Sequence, residues 1–150
     1  MGRLRLRLSD LAQQHGLTLT GDHFLWITQF PLFTHDPDKD HLAHGRWSSS
    51  HHPFTAPLPS DLPLLSQGRF EEIRGQHYDL VLNGVEIGGG SIRIHDPVLQ
   101  EHILRDVLEL ADAEVESFGH LLHALKCGAA PHGGIALGES QLRDLLASPQ

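Results

Sequence analysis

Residues 77–96, HYDLVLNGVEIGGGSIRIHD, constrain this chain more than any other stretch. Tyr78, Leu80 and Leu82 alternate with Asp79, Val81 and Asn83, the period of a strand. Asn83-Gly84 is the signal of a tight hairpin turn. A second strand then carries Ile92 and Ile94 on one face and Ser91, Arg93 and His95 on the other. Between turn and strand end stand Gly88, Gly89 and Gly90. Three glycines in a row cost backbone entropy, and they suit a strand on which a ligand lies flat against the backbone. The run lacks G-x-G-x-x-G spacing and does not open a helix, which argues against a dinucleotide fold.

Other elements follow from local pattern. Residues 25–30, LWITQF, read as a buried strand ended by Pro31. Residues 34–50 are polar, with Pro37, Gly45 and a Ser triplet, and read as an exposed, mobile loop. Pro53, Pro57, Pro59 and Pro63 keep the next stretch extended. Asp96-Pro97 opens a helix, since Asp can cap and Pro suits the first helical position. Leu99, Ile103 and Val107 form its apolar stripe. Asp112 is the expected cap of a second helix with the stripe Val115, Phe118, Leu122 and Leu125, stopped by Gly128. Residues 133–137 read as a short buried strand and 141–147 as a final helix. At the start, MGRLRLRL alternates basic and apolar residues, which favours a strand over the front of a mitochondrial presequence. Strands, then helices, then a strand give an α+β fold with a largely antiparallel sheet.

Composition narrows the function. The net charge of -8 gives no whole-surface attraction for phosphate, so it argues against a dedicated nucleic-acid-binding module. The single Cys127 permits no internal disulfide and fits a reducing compartment. No apolar run approaches the ~20 residues that span a bilayer. Thirteen His invite a metal reading, but they lack paired Cys or H-E-x-x-H spacing, so a zinc site is not expected.

The chemistry concentrates around the glycines. Glu86 and Arg93 flank them, and Asp79 lies on the preceding strand. Carboxylates suit Mg²⁺ on a nucleotide phosphate, and an arginine can clamp a carboxylate with two hydrogen bonds. The same residues also fit a solvated sheet face with an ordinary Glu–Arg pair. His51-His52, before Pro53-Phe54, read equally as polar surface or as site residues.

Four blocks lie in an order and spacing that resemble the aspartyl-tRNA synthetase family: FLWITQFPLF (24–33), HHPFTAP (51–57), YDLVLNGVEIGGGSIRIHD (78–96) and PHGGIALG (131–138). The form is that of bacterial and mitochondrial enzymes, and GQHYDLVLNG (75–84) looks more like the mitochondrial ones of animals. The resemblance implies a class II synthetase fold, an antiparallel sheet flanked by helices. It implies activation of aspartate with ATP and Mg²⁺ to aspartyl-adenylate, followed by transfer to tRNA(Asp). His51 and His52 then resemble residues that hold aspartate, and Arg93 the one that clamps its side-chain carboxylate. Asp79 and Glu86 resemble Mg²⁺ ligands on the ATP phosphates, and Gly88, Gly89, Gly90 and Gly138 the ATP-pocket backbone. The implied location is the mitochondrial matrix, with the bacterial cytoplasm as alternative; full-length members are homodimers without a membrane segment.

The departures matter as well. The first two class motifs and the anticodon-binding domain have no counterpart in these residues. The third motif continues in the family with Leu-Asp-Arg, whereas here Gly138 is followed by Glu139, Ser140 and Gln141. LRDLLASP (142–149) then resembles the later family block IRDVIAFP, which points to a deletion. Gln29 stands where the family usually has an acid. These features lead us to expect a catalytic-domain fragment inactive alone, or else a non-catalytic aspartate-binding or regulatory remnant.

Overall fold

In the computed structural model the described residues are 2–17, 21–35 and 46–138. Helix α1 spans Gly2–Gln14. Strands β1 (Phe24–Thr28), β2 (Phe33–Thr34) and β3 (Ser48–Ser49) follow, then helix α2 (Leu62–Ser66). The hairpin β4 (His77–Leu82) and β5 (Val85–Ile92) leads into helices α3 (Pro97–His102), α4 (Asp112–Ser117) and α5 (Gly119–Lys126), and strand β6 (Gly133–Leu137) closes the order. The main sheet is antiparallel, with order β1-β4-β5-β6, and β2 pairs with β3 in a separate ribbon.

The hairpin forms as the alternation predicts. Asn83 and Gly84 both take positive φ, 48° and 88°, as a type I′ turn requires. Asp96 caps α3, its Oδ1 accepting from Val98 N at 2.8 Å and Leu99 N at 3.4 Å, with Pro97 at the first position. The helix widens into a π-turn over Ile103–Val107 and buries Ile103, Leu104 and Val107. Gly128, at φ 101°, follows the end of α5.

Several expectations need correction. Residues 2–14 are helical, not a strand; Leu and Arg are strong helix formers, and three alternating Arg-Leu pairs are too few to override that propensity. β1 and β6 are strands, but both are exposed along their whole length, as sheet edges with no strand beyond them among the described residues. The proline stretch is extended only between Thr55 and Leu58; Pro53 and Phe54 form a turn in which Thr55 N donates to His52 O at 3.2 Å, and Pro59 and Pro63 start a 3₁₀ turn and the first turn of α2, where a missing N–H costs nothing. Asp112 is not the cap of α4. Ala111 holds that place, its N–H donating to Glu114 Oε2 at 2.7 Å, while Asp112 pairs with Arg105 at 2.8 Å. The expected single second helix is broken at Phe118 into α4 and α5, with Val115, Leu122 and Leu125 still buried. Ile92, expected to share a face with buried Ile94, is exposed; its partner on β6 is Gly133, which has no side chain to cover it. Within 34–50, Thr34 and Ser48–Ser49 are paired strands; 36–45 lie outside the described residues, as does the expected helix over 141–147.

The core sits beside the main sheet. Leu32, Phe33, Ala56, Leu65, Ile73 and Ile94 pack with Ile103, Leu104, Val107, Leu108, Val115 and Leu122. None of these comes from the four strands of the main sheet. The core instead anchors the segment 54–58 alongside the end of β5: Ala56 N donates to Ile92 O and Ile94 N to Phe54 O, each at 2.9 Å. This carries His51 and His52 to the sheet.

Candidate functional site

Strand register decides which side chains meet. Asp79 pairs with Gly89 and Val81 with Glu86, with a bulge between the two pairs. Asp79 and Val81 share a face by period two. Glu86 and Gly89 therefore share that face too, although three residues apart; Ile87 is the extra residue that the bulge absorbs. Without it, Glu86 and Arg93, seven apart, would lie on opposite faces. Sequence reading missed this device, and the odd spacing was its only signal.

The result is a convergent pair of carboxylates. A Cβ on Gly89 would sit 2.9 Å from Asp79 Oδ1 and 3.1 Å from Glu86 Oε1, so both oxygens reach one point above a bare backbone. Neither carboxylate has an ion-pair partner among the described residues. They border a cavity of about 820 Å³, which Gly88, Gly89, Gly138, His51, His77 and Leu137 also line. Its described lining contains no Lys or Arg. Two carboxylates are too few for a cation held by protein alone, but they fit Mg²⁺ that arrives on phosphate oxygens and keeps its own waters.

Gly90 does not line this cavity. A Cβ there would lie 1.9 Å from Gly134 O, so its glycine serves the close approach of β6. Tyr78, opposite Gly90, reaches across to the same carbonyl with its OH at 3.1 Å. Gly88 has both roles: it lines the cavity, and a Cβ there would come 2.7 Å from Ala136 O.

Further along the face lies a bonded network. Arg93 Nη1 is 3.0 Å from His52 Nδ1. Guanidinium can only donate, so Nδ1 accepts and the ring proton sits on Nε2. Nε2 then donates to Ser91 Oγ at 3.4 Å, and Phe54 N also donates to Nδ1 at 3.2 Å. Burial, then the charge of Arg93, lowers the His52 pKa to about 4, so the ring is neutral at pH 7. Arg93 lines a second cavity of about 450 Å³ with Phe54, Gln100, Phe118 and His132, whereas His51 lines the larger one. The expected aspartate-holding set is thus spread across a boundary, with His52 in the middle. Gln29, the residue in place of an acid, has φ 61° and accepts from Arg74 Nη1 at 3.1 Å. Arg74 is itself forked onto Asp61 through two bonds of 2.8 Å.

The profile of the family described as tRNA synthetases class II (D, K and N) matches residues 10–149. The chain is 46% identical to an aspartate–tRNA(Asp/Asn) ligase of Opitutus terrae, across all of this chain and 27% of that protein. It is 47% identical to the mitochondrial aspartate–tRNA ligase of Rattus norvegicus, across all of this chain and 24% of that one. Among solved structures it resembles an aspartyl-tRNA synthetase from Entamoeba histolytica (TM-score 0.53, 19% identity, 92% of this chain and 21% of that one). An asparaginyl-tRNA synthetase from Pyrococcus horikoshii gives TM-score 0.53 at 18% identity, with 89% of this chain and 29% of that one covered. These two likenesses show the fold, an antiparallel sheet with flanking helices. The chain spans about a quarter of the length of the curated relatives it matches. With a profile that covers nearly all its residues, the chain belongs to the class II tRNA synthetase family of the D, K and N type.

Proposed function

We propose that the site face is the aspartate and Mg·ATP pocket of an aspartate–tRNA ligase, of which this chain supplies part of the catalytic domain. One observation carries the reading: Asp79, Glu86, Arg93 and His52 share one sheet face around a glycine that leaves the backbone bare. In the reaction an aspartate carboxylate oxygen bonds to the α-phosphorus of ATP, the bond to the β-phosphate breaks, and pyrophosphate leaves. A hydroxyl oxygen of the terminal adenosine of tRNA(Asp) then bonds to the aspartyl carbonyl carbon, the acyl–phosphate bond breaks, and AMP leaves. Arg93 clamps the substrate's side-chain carboxylate, and neutral His52 keeps the guanidinium oriented for it. His51 borders the nucleotide side. Asp79 and Glu86 would hold Mg²⁺, which would supply charge compensation at the phosphates, and Gly88, Gly89 and Gly138 would let the nucleotide approach the backbone.

The described lining, which has no Lys or Arg, bears on activity. A triphosphate needs more positive charge than one Mg²⁺ supplies, so the 150 residues alone are expected to give negligible exchange. Aspartate-dependent ATP–pyrophosphate exchange tests this, and robust exchange by the purified chain contradicts it. The intact Arg93–His52 network favours a second reading, an aspartate-binding or regulatory protein without catalysis. Calorimetric titration with L-aspartate addresses the binding common to both readings: heat that disappears in Arg93→Ala is expected, and no heat at all opposes both. The mitochondrial matrix is the location we favour, on the strength of GQHYDLVLNG; bacterial and mitochondrial relatives match about equally well. In the full-length protein we expect a homodimer that binds tRNA(Asp).

A further inference from the structure

One buried imidazole in the site has no role in the chemistry above. His77 is 7% exposed and stands opposite Ser91 on the site face. Its ring stacks on Phe30 at 4.7 Å between centroids and on His51 at 5.7 Å, each time 14° from parallel. His51 in turn leans on His52 at 4.4 Å. The slot around His77 is tight. A Cβ on Gly75 would come 2.4 Å from His77 Nδ1, and that nitrogen is buried without a hydrogen bond. The ring leaves no room for a side chain at residue 75. Among the described residues no side-chain hydrogen bond fixes the plane of His51; its ring contacts are with His77 and His52.

From this geometry we infer that His77 is a positioning residue: its ring sets the plane of His51 and, through it, the placement of His52 against Arg93. The inference deepens the proposed aspartate pocket and rests on that reading only where aspartate is the probe. Removing the ring frees His51 to turn. A phenyl ring keeps the plate without the nitrogens, and a methyl at Gly75 displaces the plate without altering His77.

The test uses ring ¹H–¹⁵N spectra of His51 and His52 in the 150-residue chain, followed by titration with L-aspartate. His77→Ala is expected to move both sets of ring signals and weaken aspartate binding about tenfold, since small misplacements of a polar group are costly. His77→Phe is expected to keep the ring signals and hold affinity within about twofold. Gly75→Ala should reproduce the His77→Ala pattern. Amide signals of α3 and α5 serve as the folding control. Unmoved His51 and His52 signals in a folded His77→Ala chain overturn the inference, as does a His77→Phe chain that behaves like His77→Ala. Should His77→Ala fail to fold, Gly75→Ala decides by the same signals. Absence of aspartate binding in the unaltered chain counts against the proposed pocket, while the ring signals still decide the role of His77.

Discussion

At the Arg93 end of the site, guanidinium, imidazole and hydroxyl already bond to one another. At the Asp79 end, two carboxylates face a glycine with no cation beside them among the described residues. The first end is organised before any ligand arrives, and a carboxylate there needs only to meet an oriented donor. The second is electrostatically incomplete, and its ligand must bring a cation along. One sheet face thus sets a cationic end beside an anionic one, the arrangement that the proposed pocket for aspartate and Mg·ATP calls for.

The glycine run gives the sharpest way to separate the two ends from the scaffold that joins them. Gly90→Ala should cost the most, about 3 kcal/mol, because its Cβ meets the Gly134 carbonyl and β6 must move. Urea unfolding and amide exchange over residues 133–137 measure this. Gly89→Ala meets only the movable ends of Asp79 and Glu86, so it should keep the fold and impair cation binding. Next in size, joint replacement Asp79→Asn and Glu86→Gln should weaken Mn²⁺·ATP binding by roughly tenfold or more without loss of stability, because no native ion pair is broken. Calorimetry with Mn²⁺·ATP and a melting curve check both halves of that statement.

At the other end the effects are smaller. In Arg93→Met the His52 pKa should rise from about 4 only part of the way toward 6.5, since burial is the larger cause of its depression. An NMR titration of His52 reads this directly. The smallest effect is on pH stability. His52 has a folded pKa below its unfolded one, so the unfolded chain takes up a proton first as pH falls. The stabilisation from the neutral ring is complete above about pH 6.5 and is lost progressively toward pH 4. Denaturant midpoints between pH 7 and 4 should fall less steeply in His52→Gln.

Much of this was legible in the residues. Asn83-Gly84 set the hairpin, Asp96-Pro97 set the helix start, and the alternation of 78–83 gave the strand. What escaped depended on partners far away in sequence. LWITQF is apolar, but apolarity says what a segment would bury and not what lies next to it; β1 and β6 are exposed because the core cluster sits beside the sheet. The arginine–leucine start obeys strand period and helix propensity equally, and propensity won. The three glycines looked alike in sequence and act differently, since Gly89 faces carboxylates and Gly90 faces a neighbouring backbone. The two cavities also divide His51 from Arg93, a boundary no spacing rule reveals.

The central claim is that the two ends receive two parts of one substrate set. Mn²⁺·ATP added to ¹⁵N-labelled chain, followed by L-aspartate, tests it most directly. The account predicts paramagnetic broadening centred on the amides of Asp79, Glu86, Gly88 and Gly89, and then aspartate-dependent shifts at Ser91, Arg93 and the His52 ring. Sharp amides at those four residues with broadening elsewhere on the acidic surface, or aspartate shifts that persist in Arg93→Ala, would contradict it.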